Sequence, residues 1–253
     1  MDVRVYQVYF REDQLSHLDS AFVPFANLEN TNPELREYPL LKSLYSMQQP
    51  EYWGMVSWRW KEKTALEGRM FLDWIADNAG YDVYHINPFP EVAANHPNIF
   101  HHGEVVHKGM IPCVERLMRL MGLDRIDLLH SSFPVRYNST CHFYIGNSSF
   151  WQGWMEFAAE CNSVVQKDEL LYDFMHVQRS RHRKEHLINY SFVMERLVNL
   201  YMIINKVSVK YYPYEKLNNT KDTKKRAEEL QVIALKESDV FYKTPDRNKP
   251  LWW

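Results

Sequence analysis

Gly80 to Pro90 reads GYDVYHINPFP. Tyr81 to Ile86 has the pattern of a tyrosine-rich strand, and Asn87-Pro88-Phe89-Pro90 predicts a turn at its carboxyl end, because no regular element continues through two such prolines. Ligands gather at the carboxyl ends of strands in open α/β sheets. An Asp-x-Asp at such a turn would hold a divalent cation and a diphosphate, since hard cations prefer carboxylate oxygens. Here the polar pair is His85 and Asn87. An imidazole with a neutral amide is a poor cage for magnesium, although imidazole suits manganese or zinc better. The pair is expected to hydrogen-bond sugar hydroxyls or phosphate, with Arg59, Lys61 and Lys63 supplying positive charge in place of a tightly held metal. Guanidinium pairs bidentately with phosphate oxygens, which puts Arg59 first among the three. The plainer alternative is a turn histidine beside a solvated charge cluster.

A second constellation is HHGEVVH, containing His101, His102, Glu104 and His107. His-x4-His spacing with a nearby carboxylate could converge on a metal, but it matches no familiar zinc motif, and a substrate-binding or structural loop is the other reading; Glu104 and His107 are acceptor-side or general-base candidates. Asp82, at the start of the tyrosine-rich strand, is a further candidate. Glu195 and Arg196 interrupt a largely apolar helix. They are either a buried ion pair tying helix to sheet, or a base that takes the proton of an attacking hydroxyl and a cation that meets a diphosphate. The run from Gln178 to His186, QRSRHRKEH, concentrates positive charge without aromatics, as a solvated linker or as a contact for anionic lipid or phosphate.

These residues need elements to carry them. Val3 to Phe10 and the apolar run Tyr52 to Trp58 read as strands, with a loop through Phe25-Ala26-Asn27 between them. Helical spacing follows Asn32-Pro33 and covers Ala65 to Asn78. Val92 to Gly109 reads as loop, Met110 to Met121 as an amphipathic helix closed by Gly122. Phe143 to Ile145 predicts a strand feeding a serine-capped helix, Phe150 to Cys161. A helix from Tyr190 to Asn205 and a last strand from Val207 to Tyr212 follow. Strands alternating with helices argue for an α/β fold, a mostly parallel sheet with helices on both faces. One domain over residues 1–215 is expected, with residues 216–253 as a C-terminal extension.

The 253 residues are 45% hydrophobic, enough for a full core, and the net charge of −2 gives no overall basic field for nucleic acid. Three cysteines without a C-x-x-C pair are unlike a disulfide framework or zinc knuckle. The chain contains neither G-x-G-x-x-G nor G-x-x-x-x-G-K-[ST], and neither G-x-S-x-G nor H-E-x-x-H, so dinucleotide, P-loop and common hydrolase readings lose their support. With no signal-peptide pattern and no span-length apolar helix, a cytoplasmic location is expected, with the inner face of a membrane as a candidate place of work.

Three blocks together resemble a bacterial glycosyltransferase family, formerly a domain of unknown function, associated with capsule or lipopolysaccharide assembly. Glu37 through Tyr45, followed by Glu51-Tyr52-Trp53-Gly54-Met55-Val56-Ser57-Trp58-Arg59-Trp60, is similar to the family's acidic helix start and D-Y-I-G-L-x-H-Y-R-R strand, with only Arg59 retained from the His-Tyr-Arg-Arg end. His142-Phe143-Tyr144-Ile145-Gly146-Asn147 and Phe150-Trp151 stand where the family has an aromatic strand turning into a helix. Phe192-Val193-Met194-Glu195-Arg196-Leu197-Val198-Asn199-Leu200-Tyr201 is similar to F-x-x-E-R-L-x-N-x-Y. The resemblance implies a GT-A-like fold and transfer of a sugar from a nucleotide-sugar donor, with manganese or magnesium as candidate ions, to a glycan or lipid-linked acceptor. The alternative is a binding module of the same fold that recognises carbohydrate or nucleotide without catalysis.

Overall fold

A computed structural model describes residues 1–29, 33–179, 187–217 and 223–237. In chain order the elements are β1 (Val3–Tyr9), β2 (Val23–Ala26), α1 (Glu37–Tyr45), β3 (Tyr52–Ser57), α2 (Trp60–Thr64), α3 (Gly68–Asp77), β4 (Val83–His85), α4 (Pro90–Asn95), α5 (Ile99–Val106) and α6 (Met110–Leu120). They continue as β5 (Tyr144–Asn147), α7 (Ser148–Val165), α8 (Glu169–Tyr172), α9 (Tyr190–Ile204), β6 (Val209–Tyr211) and α10 (Thr223–Glu237). The six strands form one sheet in the order β2-β1-β3-β5-β4-β6. Ladders β1–β2, β1–β3 and β4–β6 are parallel, while β5 runs against both of its neighbours. The expected α/β class, a mostly parallel sheet with helices on both faces, is the one observed.

The two-residue period of a strand sorts its side chains to opposite faces, which explains the two cores. Tyr6, Val8, Trp53, Met55, Val83 and Tyr144 face the larger one with α5, α6, α7 and α9. Val5, Tyr52, Val56, Tyr84 and Ile145 face the smaller one, where Trp60, Phe71 and Trp74 of α2 and α3 pack. β3 and β5 approach so closely at Gly54 that a Cβ there would lie 1.9 Å from the Tyr144 carbonyl oxygen. Only glycine fits that contact.

Three local readings are corrected. Phe25-Ala26 belongs to the edge strand β2, paired to Val8 and Tyr9 of β1; a four-residue partly exposed strand carries too short an apolar alternation to stand out. The stretch read as loop from Val92 to Gly109 holds α4 and α5. Its capping signal was present: the Asn98 side chain accepts hydrogen bonds from the Phe100 and His101 amides and starts α5. The cap of α7 is Asn147, accepting from Phe150 N, and not a serine.

Near the chain's end, α10 lies against α4. Lys236 Nζ donates to the carbonyls of Ala93, Ala94 and His96 at 2.7, 3.1 and 2.7 Å, and Glu237 Oε1 accepts from Arg136 N at 2.7 Å. Apart from Arg179, the basic run through His186 lies outside the described residues, as does the terminal Lys249 to Trp253. Among the described residues no helix is long and apolar enough to cross a membrane.

Candidate functional site

A cleft of about 860 Å³ opens across one end of the sheet. Phe10 follows β1, Ser57 ends β3 with Trp58 and Arg59 just beyond it, and Pro88 and Phe89 follow β4. The antiparallel β5 reaches the same edge with the residues that precede it, Thr140 and Cys141. After β1 the chain goes to β2 on one side and then to β3 on the other, so Phe10 and Arg59 flank the point where strand order reverses. Crevices at such switch points are where open α/β sheets bind ligands. The helical wall opposite is made by the starts of α1 and α9 and the end of α5, with Glu37, Ser191, Phe192, Glu195, His102 and His107 lining it.

The motif that interrupts α9 grips the loop before β5. Asn199 accepts from Ser139 N at 2.9 Å and returns a hydrogen bond to Ser139 O at 3.1 Å. One turn earlier, on the same stripe of the helix, Glu195 Oε1 accepts from Cys141 N at 3.3 Å. Cys141 and His142 both sit at positive φ, 69° and 53°, a conformation that costs of order 1–3 kcal/mol per non-glycine residue unless its surroundings enforce it. Glu195 and Asn199 provide that enforcement. Arg196 points the other way, to α5, where Nε donates to Ile99 O at 3.1 Å and another nitrogen to His102 Nδ1 at 3.3 Å.

Charge on Glu195 is set by opposing effects. Burial pushes its carboxyl up, but Arg196, His142, the Cys141 amide and Lys63 together outweigh burial and hold it below the ordinary carboxylate range. The neighbour fares differently: burial pulls the Arg196 guanidinium down despite Glu195, yet arginine starts so high that it stays a cation. Lys63 lies just beyond the loop, its Nζ 3.3 Å from Cys141 Sγ and 5.3 Å from the centre of the Phe143 ring. Arg59 lies on the same side of the cleft, where Nε donates to Glu62 Oε2 at 2.7 Å and the other nitrogen pairs with Oε1. Glu62 thereby raises Arg59 and is itself lowered by it.

The structure brings Arg59, Lys63, His107, Glu195 and Arg196 to one cleft and puts the other sequence candidates elsewhere. His85 is fully buried, and Nε2 bonds the Arg136 carbonyl at 2.7 Å. A carbonyl only accepts, so Nε2 carries the proton. Burial takes this imidazole down to about 4, against the small opposing effect of that bond. Asn87 is also buried: Nδ2 donates to Asn138 O at 2.8 Å, and Oδ1 accepts from Phe89 N at 3.0 Å and Thr140 Oγ1 at 2.8 Å. The His-x-Asn pair is therefore corrected from ligand contact to scaffold, with Asn87 clamping two loops that border the cleft. Glu104 is likewise spent, its two oxygens accepting from Gly109 N and Ile111 N at the start of α6. Asp82 sits at the opposite end of the sheet, bonded to Asn147 Nδ2 and Ser208 N. Lys61 is exposed and paired with Glu67 at 2.8 Å.

Sequence reasoning assigned no site role to Ser191, Glu62 or Asn199. The spacing of Glu195 and Asn199, i and i+4 on an apolar helix, was a legible sign of two polar groups sharing one target. Among the described residues no three His, Cys, Asp or Glu side chains converge as metal ligands.

No protein-family model matches the chain, and no curated protein does. Among solved structures it is similar to the apo structure of WbbM, a bifunctional glycosyltransferase. The two share 10% identity with a TM-score of 0.49, over 84% of this chain and 44% of the other. The chain thus spans less than half the length of that protein.

Proposed function

We propose that this chain is a glycosyltransferase that moves a sugar from a nucleotide-sugar donor to a hydroxyl of a glycan or lipid-linked glycan. The observation that carries the reading is Glu195, a partly exposed carboxylate in the cleft wall between two cations. Its Oε1 is occupied by the Cys141 amide, while Oε2 has no hydrogen-bond partner among the described residues. The donor lies along the strand ends, its diphosphate against Arg59 and Lys63, which stabilise the charge that develops as the sugar leaves. The bond between the anomeric carbon and the diphosphate oxygen breaks with its electron pair staying on the diphosphate. The acceptor oxygen bonds that carbon, and its proton passes to Glu195. The resemblance of the Phe192 to Tyr201 block to a glycosyltransferase helix supports the same assignment, because Glu195 and Arg196 are the acidic and basic positions of that block. Surface-polysaccharide assembly is the setting that this resemblance suggests.

Arg59→Ala should weaken binding of a nucleoside diphosphate by about 10- to 100-fold, the worth of charge-assisted hydrogen bonds of roughly 1.5–3 kcal/mol. Lys63→Ala should cost less, because an ammonium lacks the planar fork. Titration calorimetry and thermal shift with a panel of nucleoside diphosphates and nucleotide sugars, with and without manganese, measure both. Stabilisation without release of diphosphate on adding acceptor glycans would leave a binding module, and equal, negligible effects of both substitutions would remove this pair of cations from the donor site.

A further inference from the structure

Two groups on α9 lack, among the described residues, a partner of the kind their chemistry calls for. Arg196 is a guanidinium only 3% exposed, and its acceptors are all neutral: Ile99 O, Phe192 O and His102 Nδ1. It forms no ion pair with a described residue, and Glu195, beside it in sequence, acts on it only at longer range. A buried charge with neutral partners is costly unless an opposite charge comes to it. Ser191, 4% exposed, has a hydroxyl with no hydrogen-bond partner among the described residues. Buried polar atoms are rarely left so, and those that are point to something that completes them.

Both side chains line the cleft. Ser191 is in the first turn of a fifteen-residue helix, whose amino end adds partial positive charge. The fold also makes room for this arrangement, since a Cβ on Gly103 would come within 2.8 Å of Arg196 Nε. Beside them the His107 ring stacks on Phe192, with 4.0 Å between centres.

We infer that the α9 wall, with Arg196 and Ser191, is a subsite for an oxyanion, a carboxylate or phosphate carried by the acceptor. It rests on the reading of the cleft as a transferase site. Glu195 decides which substrate the anion belongs to. On one side, through Cys141, lies Lys63 with the strand-end cations that face the donor; on the other lie Arg196 and Ser191. A base that takes the acceptor's proton sits between the two substrates, so the group beyond it is the acceptor's.

Titration calorimetry of the full chain with methyl β-glucuronide, methyl β-glucoside and uridine diphosphate tests this without requiring turnover. The glucuronide should bind at least about tenfold tighter than the neutral glucoside, the return on one charge-assisted contact. Ser191→Ala should weaken the glucuronide about three- to tenfold and leave uridine diphosphate unchanged, while Arg59→Ala should do the reverse. Arg196→Gln should abolish the preference for the acidic sugar; because that variant risks the fold, Ser191→Ala is the deciding one. A glucuronide that binds no tighter than the glucoside, or one indifferent to Ser191→Ala, overturns the inference. So does a loss of uridine diphosphate affinity in Ser191→Ala, which would hand the subsite to the donor. If the glucuronide behaves as expected and uridine diphosphate does not bind, the anion subsite stands and the donor assignment falls.

Discussion

Glu195→Gln should lower the rate of transfer by about 10²- to 10⁴-fold, the range for loss of a positioned general base, with donor affinity changed by less than about threefold. Glutamine keeps the volume and still accepts from Cys141 N, so the left-handed backbone at Cys141 and His142 stays in place. What disappears is the oxygen that takes the proton. Release of nucleoside diphosphate, with donor affinity measured separately, reads both quantities. The pH profile adds a second check. Because Arg196, His142, the Cys141 amide and Lys63 outweigh burial and hold the Glu195 carboxyl below its ordinary value, the wild-type rate should be flat through pH 5 and fall only below the usual carboxylate range. An acid limb between pH 6 and 7 would instead assign the base to an imidazole, with His107 and His102 in the cleft lining as the candidates among the described residues.

His85→Ala should cost about 2–4 kcal/mol of stability and leave nucleotide affinity unchanged. It opens a cavity in a fully buried site and leaves the Arg136 carbonyl without its donor. Burial also gives His85 a distinctive pH dependence. The unfolded imidazole takes up a proton near pH 6.5, whereas the folded one does so only at about 4, so the unfolded state binds more protons between those values. Stability therefore falls as pH drops through 6.5 toward 4. The two values put this loss at about 2 kcal/mol between pH 7 and pH 5. Burial lowers His96, His101 and His176 as well, so wild type loses more than His85 alone accounts for. Urea unfolding of wild type and His85→Gln at the two pH values isolates the share: the variant should lose about 2 kcal/mol less than wild type. An unchanged difference, or a fall in nucleotide affinity in either variant, would return His85 to the ligand.

The outcome at His85 shows where residue type stops being informative. Strand, turn and the carboxyl end of β4 were all readable from Tyr81 to Pro90, because apolar alternation and proline act locally. Whether the polar pair faced the cleft or the core depended on the loop from Arg136 to Thr140, which arrives from some fifty residues away to receive both side chains. Period-two alternation likewise made β1 and β3 legible, while β5 as the antiparallel strand between β3 and β4 followed from pairing across long separations that no local pattern carries. Arg59, Lys63 and Glu195 could be named as candidates because charge at a strand end or on an apolar helix is unusual wherever it occurs. Ser191 could not: a serine in a first turn is ordinary, and only the packed helices around it make its hydroxyl an orphan. Glu104 was misleading for a related reason, since a carboxylate among histidines looks catalytic until the amides of Gly109 and Ile111 are seen to occupy it.

A crystal structure with uridine diphosphate bound is the most direct test of whether donor chemistry belongs to the strand-end cleft. The diphosphate oxygens should lie against Arg59 and Lys63, with Glu62 displaced from the guanidinium and Oε2 of Glu195 facing the space beyond the terminal phosphate. A nucleotide seated instead in the separate hollow beside β6, between Arg136 and Lys210, or a chain that takes up no diphosphate at millimolar concentration, would contradict the assignment.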